Sequence, residues 1–94
     1  MTHVPGNKLQ EALDDARALV CVGATYVHYK DPQHRYTVLC LGIMEADDTL
    51  AVIYQAQYGE KLTFIRPLTS WLETVVVGEQ RVPRFAVLTD TECK

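Results

Sequence analysis

With 94 residues, of which 48% are hydrophobic, the chain is sized for one domain with a single modest core and is too apolar to be disordered. Its net charge is −3, from 12 acidic and 9 basic residues, which counts against nucleic-acid binding driven mainly by phosphate neutralisation. No apolar run approaches the roughly 20 residues that a transmembrane helix needs, so we expect a soluble protein with no membrane partner.

The first predicted element is an amphipathic helix over residues 7–22. Asn7 is placed to cap its first turn, with Gln10 reaching back, and Gly23 follows at the position of a left-handed stop. Apolar residues recur at steps of three and four: Leu9, Ala12, Leu13, Ala16, Leu19 and Val20. This stripe is expected either to cap the rest of the fold or to pack on a second copy, forming a homo-oligomer.

The remainder, residues 23–88, is predicted to be mainly β, and residues 89–94 a polar tail. Short apolar, β-branched and aromatic runs alternate with turn signals every 8–12 residues or so, a pattern typical of a small barrel or a strongly bent sheet with five to six strands. A turn is expected at 31–34 and a short 3₁₀ segment at 68–71. The predicted strands are 25–30, 36–43, 50–58, 62–66, 74–77 and 82–88.

The first strand predicts a polar and aromatic face. Alternation places Tyr26, His28 and Lys30 on one side of the strand. This face is interpreted either as solvated surface or as a ligand contact. A catalytic His28 is a weaker alternative, because a general base normally needs an orienting partner.

The third strand carries candidates on both faces. Tyr54 and Tyr58 are expected in the core, with their hydroxyls at the rim. Gln55 points to the opposite side, where a mid-strand amide needs either a structural network or a ligand.

Arginine supplies the strongest candidate site. Arg66 directly precedes Pro67, and its planar guanidinium is suited to bidentate binding of a carboxylate or phosphate. The alternative is an internal ion pair with Glu73. Arg84, which follows Pro83, is a second candidate, with an ordinary surface arginine as its alternative.

Other kinds of site find little support. The three histidines lack metal-ligand spacing, the lone serine Ser70 has no nucleophile motif, and no Gly-rich phosphate loop is present. We therefore assign no metal, cofactor or catalytic residue. Cys21, Cys40 and Cys93 are odd in number and lack CxxC spacing, and residues 1–6 do not resemble a secretory signal, so free thiols in the cytoplasm are expected.

Over residues 23–85 the chain resembles DUF1653, a family of small bacterial domains of unknown function. The resemblance implies an SH3-like β-barrel and brings no established activity. Two departures are Asp31, where the family usually has Gly, and the acidic turn at 45–48. The matching residues are Gly23, Tyr26, His28, Tyr29, Lys30, Tyr36, Val38, Leu39, Tyr54, Gln55, Tyr58, Gly59, Arg66, Pro67, Trp71, Leu72, Glu73, Val82, Pro83, Arg84 and Phe85.

These observations favour a binding module for a peptide, a protein or a small anionic ligand. An RNA- or single-strand-binding barrel is one alternative, since small barrels stack bases on exposed rings, although net acidity disfavours it. A small hydrolase or transferase using His28 and Glu73 is another, and assembly through the helix is a third.

Overall fold

The computed structural model describes residues 6–88 and is built mainly of antiparallel strands, as predicted. Residues 89–94, the predicted tail, lie outside this range. The elements in chain order are α1 Gly6–Arg17, β1 Thr25–His28, β2 Asp31–Met44, β3 Thr49–Ala56, β4 Thr63–Pro67, α2 Leu68–Trp71, β5 Thr74–Val77, β6 Gln80–Pro83 and β7 Phe85–Val87.

The N-terminal helix is shorter than the predicted 7–22. It includes Gly6, so Asn7 is not its N-cap, and it ends at Arg17. The next residues form a tighter turn, in which the Ala18 amide donates to the Asp15 carbonyl and the Leu19 amide to the Ala16 carbonyl. Val20 is buried, whereas Leu19 is 63% exposed, because this tightening takes Leu19 out of the stripe. Gly23 has a φ of +88°, but it lies six residues beyond Arg17 and its amide donates to the Val38 carbonyl, so the prediction that it stops the helix is wrong.

Five strands form one sheet in the order β4-β3-β2-β1-β7, and β5 and β6 form a separate hairpin. The prediction of a single strand over residues 82–88 is therefore wrong. It divides at Arg84, whose amide donates to the Glu73 carbonyl while its own carbonyl accepts from the Tyr29 amide. Pro83 ends β6, and the chain crosses to the other sheet. No pairing joins β4 to β7 within residues 6–88, so closure into a barrel stays a prediction.

The first hairpin turns earlier than expected. His28 pairs directly with Asp31, which leaves Tyr29 and Lys30 as the two-residue turn. Three residues, 32–34, then bulge from β2 before Arg35 pairs with Val27. The turn signature at 31–34 thus produces an irregularity within a long strand rather than its start, since Pro32 cannot donate to a regular ladder.

The core lies between the sheet and the α2 segment. Leu68–Trp71 forms one α-helical turn rather than the expected 3₁₀ segment, and it brings Trp71 to 3% exposure. The Trp71 ring stacks on Phe85, with centroids 4.0 Å apart and planes within 5°. The other large core side chains are Val20, Val38, Val52, Tyr26 and Tyr54.

The expectation of three free thiols is wrong. Cys40 is free and exposed, but Cys21 is buried and disulfide-bonded, since an odd count of cysteines does not exclude one bridge. Cys93 lies outside the described residues. Among residues 6–88, no helix combines the length and apolar character required to cross a membrane.

Candidate functional site

The strand register gathers polar and aromatic side chains on one face of the five-stranded sheet. Residues opposite each other on antiparallel strands share a face. Tyr26 lies opposite Tyr36, His28 opposite Phe85, and Val52 opposite Arg66. We call this side the inner face; its members include Tyr26, His28, Tyr36, Val38, Val52, Tyr54, Ala56, Phe64, Arg66 and Phe85.

Arg66 is the charged group on the inner face that has the most contacts. Its Nε donates to the Tyr54 hydroxyl at 3.4 Å, and its Nη1 donates to Ser70 Oγ at 3.0 Å. The guanidinium carbon lies 5.1 Å from the centroid of the Phe85 ring, within cation–π range. The three contacts hold the planar group in one orientation.

Among the described residues, Arg66 has no acidic partner. Within residues 6–88, no carboxylate lies at ion-pair distance from its guanidinium, although the side chain is half-buried. The internal ion pair with Glu73, offered as the alternative from sequence, is therefore wrong. The two hydrogen-bonding partners are neutral hydroxyls, so they orient the positive charge without balancing it.

Glu73 instead lies beside the second candidate arginine. Its Oε2 is 3.7 Å from Arg84 Nη2, and the Glu73 side chain is about half exposed. Arg84 is more enclosed than a typical surface arginine, and its Nε is buried without a hydrogen-bond partner in the described part of the chain. The geometry gives Arg84 a structural role at the crossing between the two sheets.

His28 lies between these positive charges. Its ring packs edge-on against Phe85 at 5.0 Å, and Nδ1 accepts a hydrogen bond from the Lys30 amide at 3.2 Å. Burial lowers the pKa of His28 below its usual 6.5, and the charges of Arg66, Arg84 and Lys30 lower it further, while Asp31 acts in the opposite direction. The imidazole is therefore held neutral, with its proton on Nε2.

Three of the predicted site residues lie elsewhere. Tyr26 is buried, and its hydroxyl accepts from the Cys21 amide at 2.8 Å, which makes it a core residue. Lys30 is exposed in the β1–β2 turn rather than on the strand. Gln55 is on the opposite face and donates to the Lys61 carbonyl at 3.1 Å, so its partner is structural. The structure brings together His28, Arg66 and Arg84, with Glu73 at the periphery.

Sequence reasoning missed Phe85 and Ser70 as part of the site. Phe85 contacts His28, Trp71 and the Arg66 guanidinium, and it forms the floor of the site. Its position beside Arg84 in the Val-Pro-Arg-Phe segment was visible, but its contact with Arg66 depends on the long-range pairing of β7 with β1. Ser70 was considered only as a nucleophile.

A second aromatic cluster lies toward the β1–β2 turn. The hydroxyls of Tyr36 and Tyr58 are 2.8 Å apart, and the Tyr58 ring stacks on His34 at 3.9 Å. Burial raises the pKa of Tyr36, and the hydrogen bond with Tyr58 raises it further. Tyr54 is buried as predicted, but Tyr58 is exposed, because it lies beyond the end of β3.

A cavity of about 420 Å³ lies beside β1, lined by His28, Tyr29 and Val82 among others, but its lining is mostly apolar and includes neither Arg66 nor Arg84. In the part of the chain that the structure describes, no group of three His, Cys, Asp or Glu residues is arranged to hold a metal ion.

Comparison with known proteins gives a family and no activity. Residues 24–87 match the model of a protein family of unknown function, DUF1653. A crystal structure of a DUF1653 protein from Bordetella bronchiseptica is 30% identical, with a TM-score of 0.63, and the match covers 77% of this chain and 92% of that one. No curated protein matches.

Proposed function

The chain belongs to the DUF1653 family, and we propose that it is a binding module that recognises an anionic group through Arg66 on the inner face of its sheet. The anionic group is carried by a peptide, a protein or a small ligand. An SH3-like barrel that stays open at the outer edge of β4, a bacterial source and a cytoplasmic location belong to the same proposal, although the last loses the support of a free thiol at Cys21.

One observation carries the proposal: the Arg66 guanidinium is half-buried and oriented, yet has no carboxylate partner in residues 6–88. Removing a charge from water is costly unless an opposite charge compensates for it. A bound carboxylate or phosphate supplies that compensation, and the planar guanidinium is suited to pair with two of its oxygens.

The electrostatics of the neighbourhood support the same reading. Arg66, Arg84 and Lys30 all act on His28 in the direction expected of positive charges, and Asp31 opposes them. An anion near Arg66 offsets these positive charges. His28 then gains a proton more readily, at the expense of the hydrogen bond that Nδ1 accepts from the Lys30 amide, and its Nε2–H becomes a charged donor.

Neither alternative finds comparable support. The rings of Tyr26, Tyr54 and Phe85 are buried, so they do not offer faces on which nucleic-acid bases stack. A hydrolase using His28 and Glu73 needs these groups around one reacting atom, but Glu73 contacts Arg84, and His28 Nδ1 is occupied by the Lys30 amide.

A thermal-shift comparison tests the proposal. Sodium acetate and sodium phosphate are titrated at constant ionic strength against wild type, Arg66→Lys and the control Arg81→Lys, since the Arg81 side chain is exposed and donates to Thr74 Oγ1. We expect saturable stabilisation of wild type and of the control but not of Arg66→Lys, because lysine loses the planar fork. Equal responses from all three proteins would contradict the proposal.

A further inference from the structure

We infer that the ligand is an extended acidic peptide that pairs with the free edge of β4 and places a carboxylate beside Arg66, an inference that rests on the proposed function. In the sheet formed by residues 6–88, β4 is an outer strand, with β3 as its partner on one side. An outer strand leaves a row of backbone amides and carbonyls for another chain to bind.

The hydrogen-bonding direction identifies which backbone groups are free. The Ala56 amide donates to the Leu62 carbonyl, while the next residue along, Gln57, donates to Arg35 on the other side of β3. Hydrogen bonding alternates along the strand pair, so the backbone amides and carbonyls of Leu62, Phe64 and Arg66 face β3. The amide and carbonyl groups of Thr63 and Ile65 consequently face away from the sheet.

Pro67 provides an independent check on this direction. It lies opposite Ala51, two residues after Ile65, so its nitrogen also faces the free edge. A proline is tolerated in a strand where its missing amide would have faced outward, because no ladder bond is lost. The edge is thus open over Thr63 and Ile65 and ends at Pro67.

The side chains along this edge suit an extended peptide. Leu62 is 55% exposed, Phe64 40% and Ile65 63%, an unusual run of apolar residues for an unpaired strand. Phe64 and Arg66 share the inner face, two residues apart. A peptide strand added here presents its own alternate side chains to these two residues.

The positive charge of Arg66 determines which peptide sequences we expect to bind. A residue opposite Arg66 on the inner face faces the guanidinium that lacks a carboxylate, so Glu or Asp is favoured there. The residue two positions away faces Phe64, where an apolar side chain is favoured. The inferred ligand therefore combines an acid and an apolar residue at i and i±2 in extended conformation.

The experiment selects binders from a display library of random short peptides on the wild-type protein and measures their affinity by fluorescence anisotropy. We expect selected peptides to share the acid and apolar residue at that spacing. Replacing the acid by its amide, or introducing Arg66→Lys, is expected to weaken binding roughly tenfold or more. Selected peptides without an acid, or no selected peptides at all, would overturn the inference.

Backbone pairing has its own test, which leaves the protein unchanged. N-methylation of single amides along a selected peptide is expected to weaken binding roughly tenfold at alternate positions and little at those between, because only one set faces β4. A protein-side counterpart is Ile65→Pro, with Ile65→Ala as its matched control that keeps the amide. Uniform effects of methylation along the peptide would overturn strand pairing.

The outcomes separate this inference from the proposed function. Acetate and phosphate could stabilise wild type through Arg66 while peptide binding is unaffected by the methylation pattern and by Ile65→Pro. In that case the strand-edge inference fails and the proposed anion site stands. If Arg66→Lys changes neither the thermal stabilisation by anions nor the affinity for peptides, the proposed function fails. Preferential binding of an oligonucleotide, or a dimer of this chain that Ile65→Pro dissociates, would also overturn the peptide inference.

Discussion

The two arginines beside His28 come from similar sequence contexts but have different partners. Each lies next to a proline, each is partly buried, and the positive charge of each lowers the pKa of His28. Arg84 has a carboxylate at 3.7 Å, and its own backbone bridges the two sheets. Arg66 is oriented by two hydroxyls and an aromatic ring, and no acid balances its charge in the described chain.

The difference shows how a structural arginine is distinguished from a candidate binding arginine. A structural role requires the charge to be balanced within the fold, as Glu73 does for Arg84. We propose that the Arg66 charge, which no acid balances within residues 6–88, costs the free protein stability that a bound anion would restore. The comparison therefore predicts different responses of the two residues to mutation and to added anions.

The largest effect is expected from removing the Phe85 ring, which contacts the Arg66 guanidinium and belongs to the residue after Arg84. Phe85→Ala deletes a buried ring stacked on Trp71, and we expect a loss of about 3–5 kcal/mol in the free energy of unfolding. Urea denaturation measures it, with Phe85→Leu as a milder variant if the alanine protein does not fold. Val87→Ala, on an exposed neighbour in the same strand, is the control and should cost far less.

A smaller effect separates the arginines directly. In double-mutant cycles of Glu73→Gln with each arginine changed to glutamine, we expect a coupling of about 0.5 kcal/mol with Arg84, since the pair is partly exposed. The coupling of Glu73 with Arg66 should be within about 0.3 kcal/mol of zero. Equal couplings would remove the distinction drawn between the two residues.

The smallest effect concerns His28 and pH. Because the folded-state pKa of His28 is below its usual 6.5, the unfolded chain binds the proton more readily, and stability should fall as pH drops below about 6.5. His28→Gln should lose less stability than wild type over this interval, as measured by urea denaturation at several pH values. Saturating phosphate should reduce the wild-type loss, since a bound anion offsets the neighbouring positive charges. Identical pH profiles would contradict the assigned environment.

Local signals in the sequence predicted the β-rich fold and singled out Arg66 as a candidate, but they did not predict its surroundings. Alternation and turn residues indicated most of the strands, whereas Gly23 did not mark the end of the helix, which lies at Arg17. The division of residues 82–88 between two sheets depends on the Arg84 backbone reaching Glu73 and Tyr29. The partner of Glu73 and the contact of Phe85 with Arg66 likewise depend on long-range pairing, which no local pattern specifies.

The most direct measurement is an NMR titration of the arginine side chains. Nε–Hε correlations of Arg66, Arg84 and the exposed Arg35 and Arg81 are followed as phosphate is added at constant ionic strength. The account predicts a saturable shift at Arg66, accompanied by the His28 ring, with little change at the exposed arginines. A shift of the same size and midpoint at all four arginines, or none at Arg66, would contradict an anion site on the inner face.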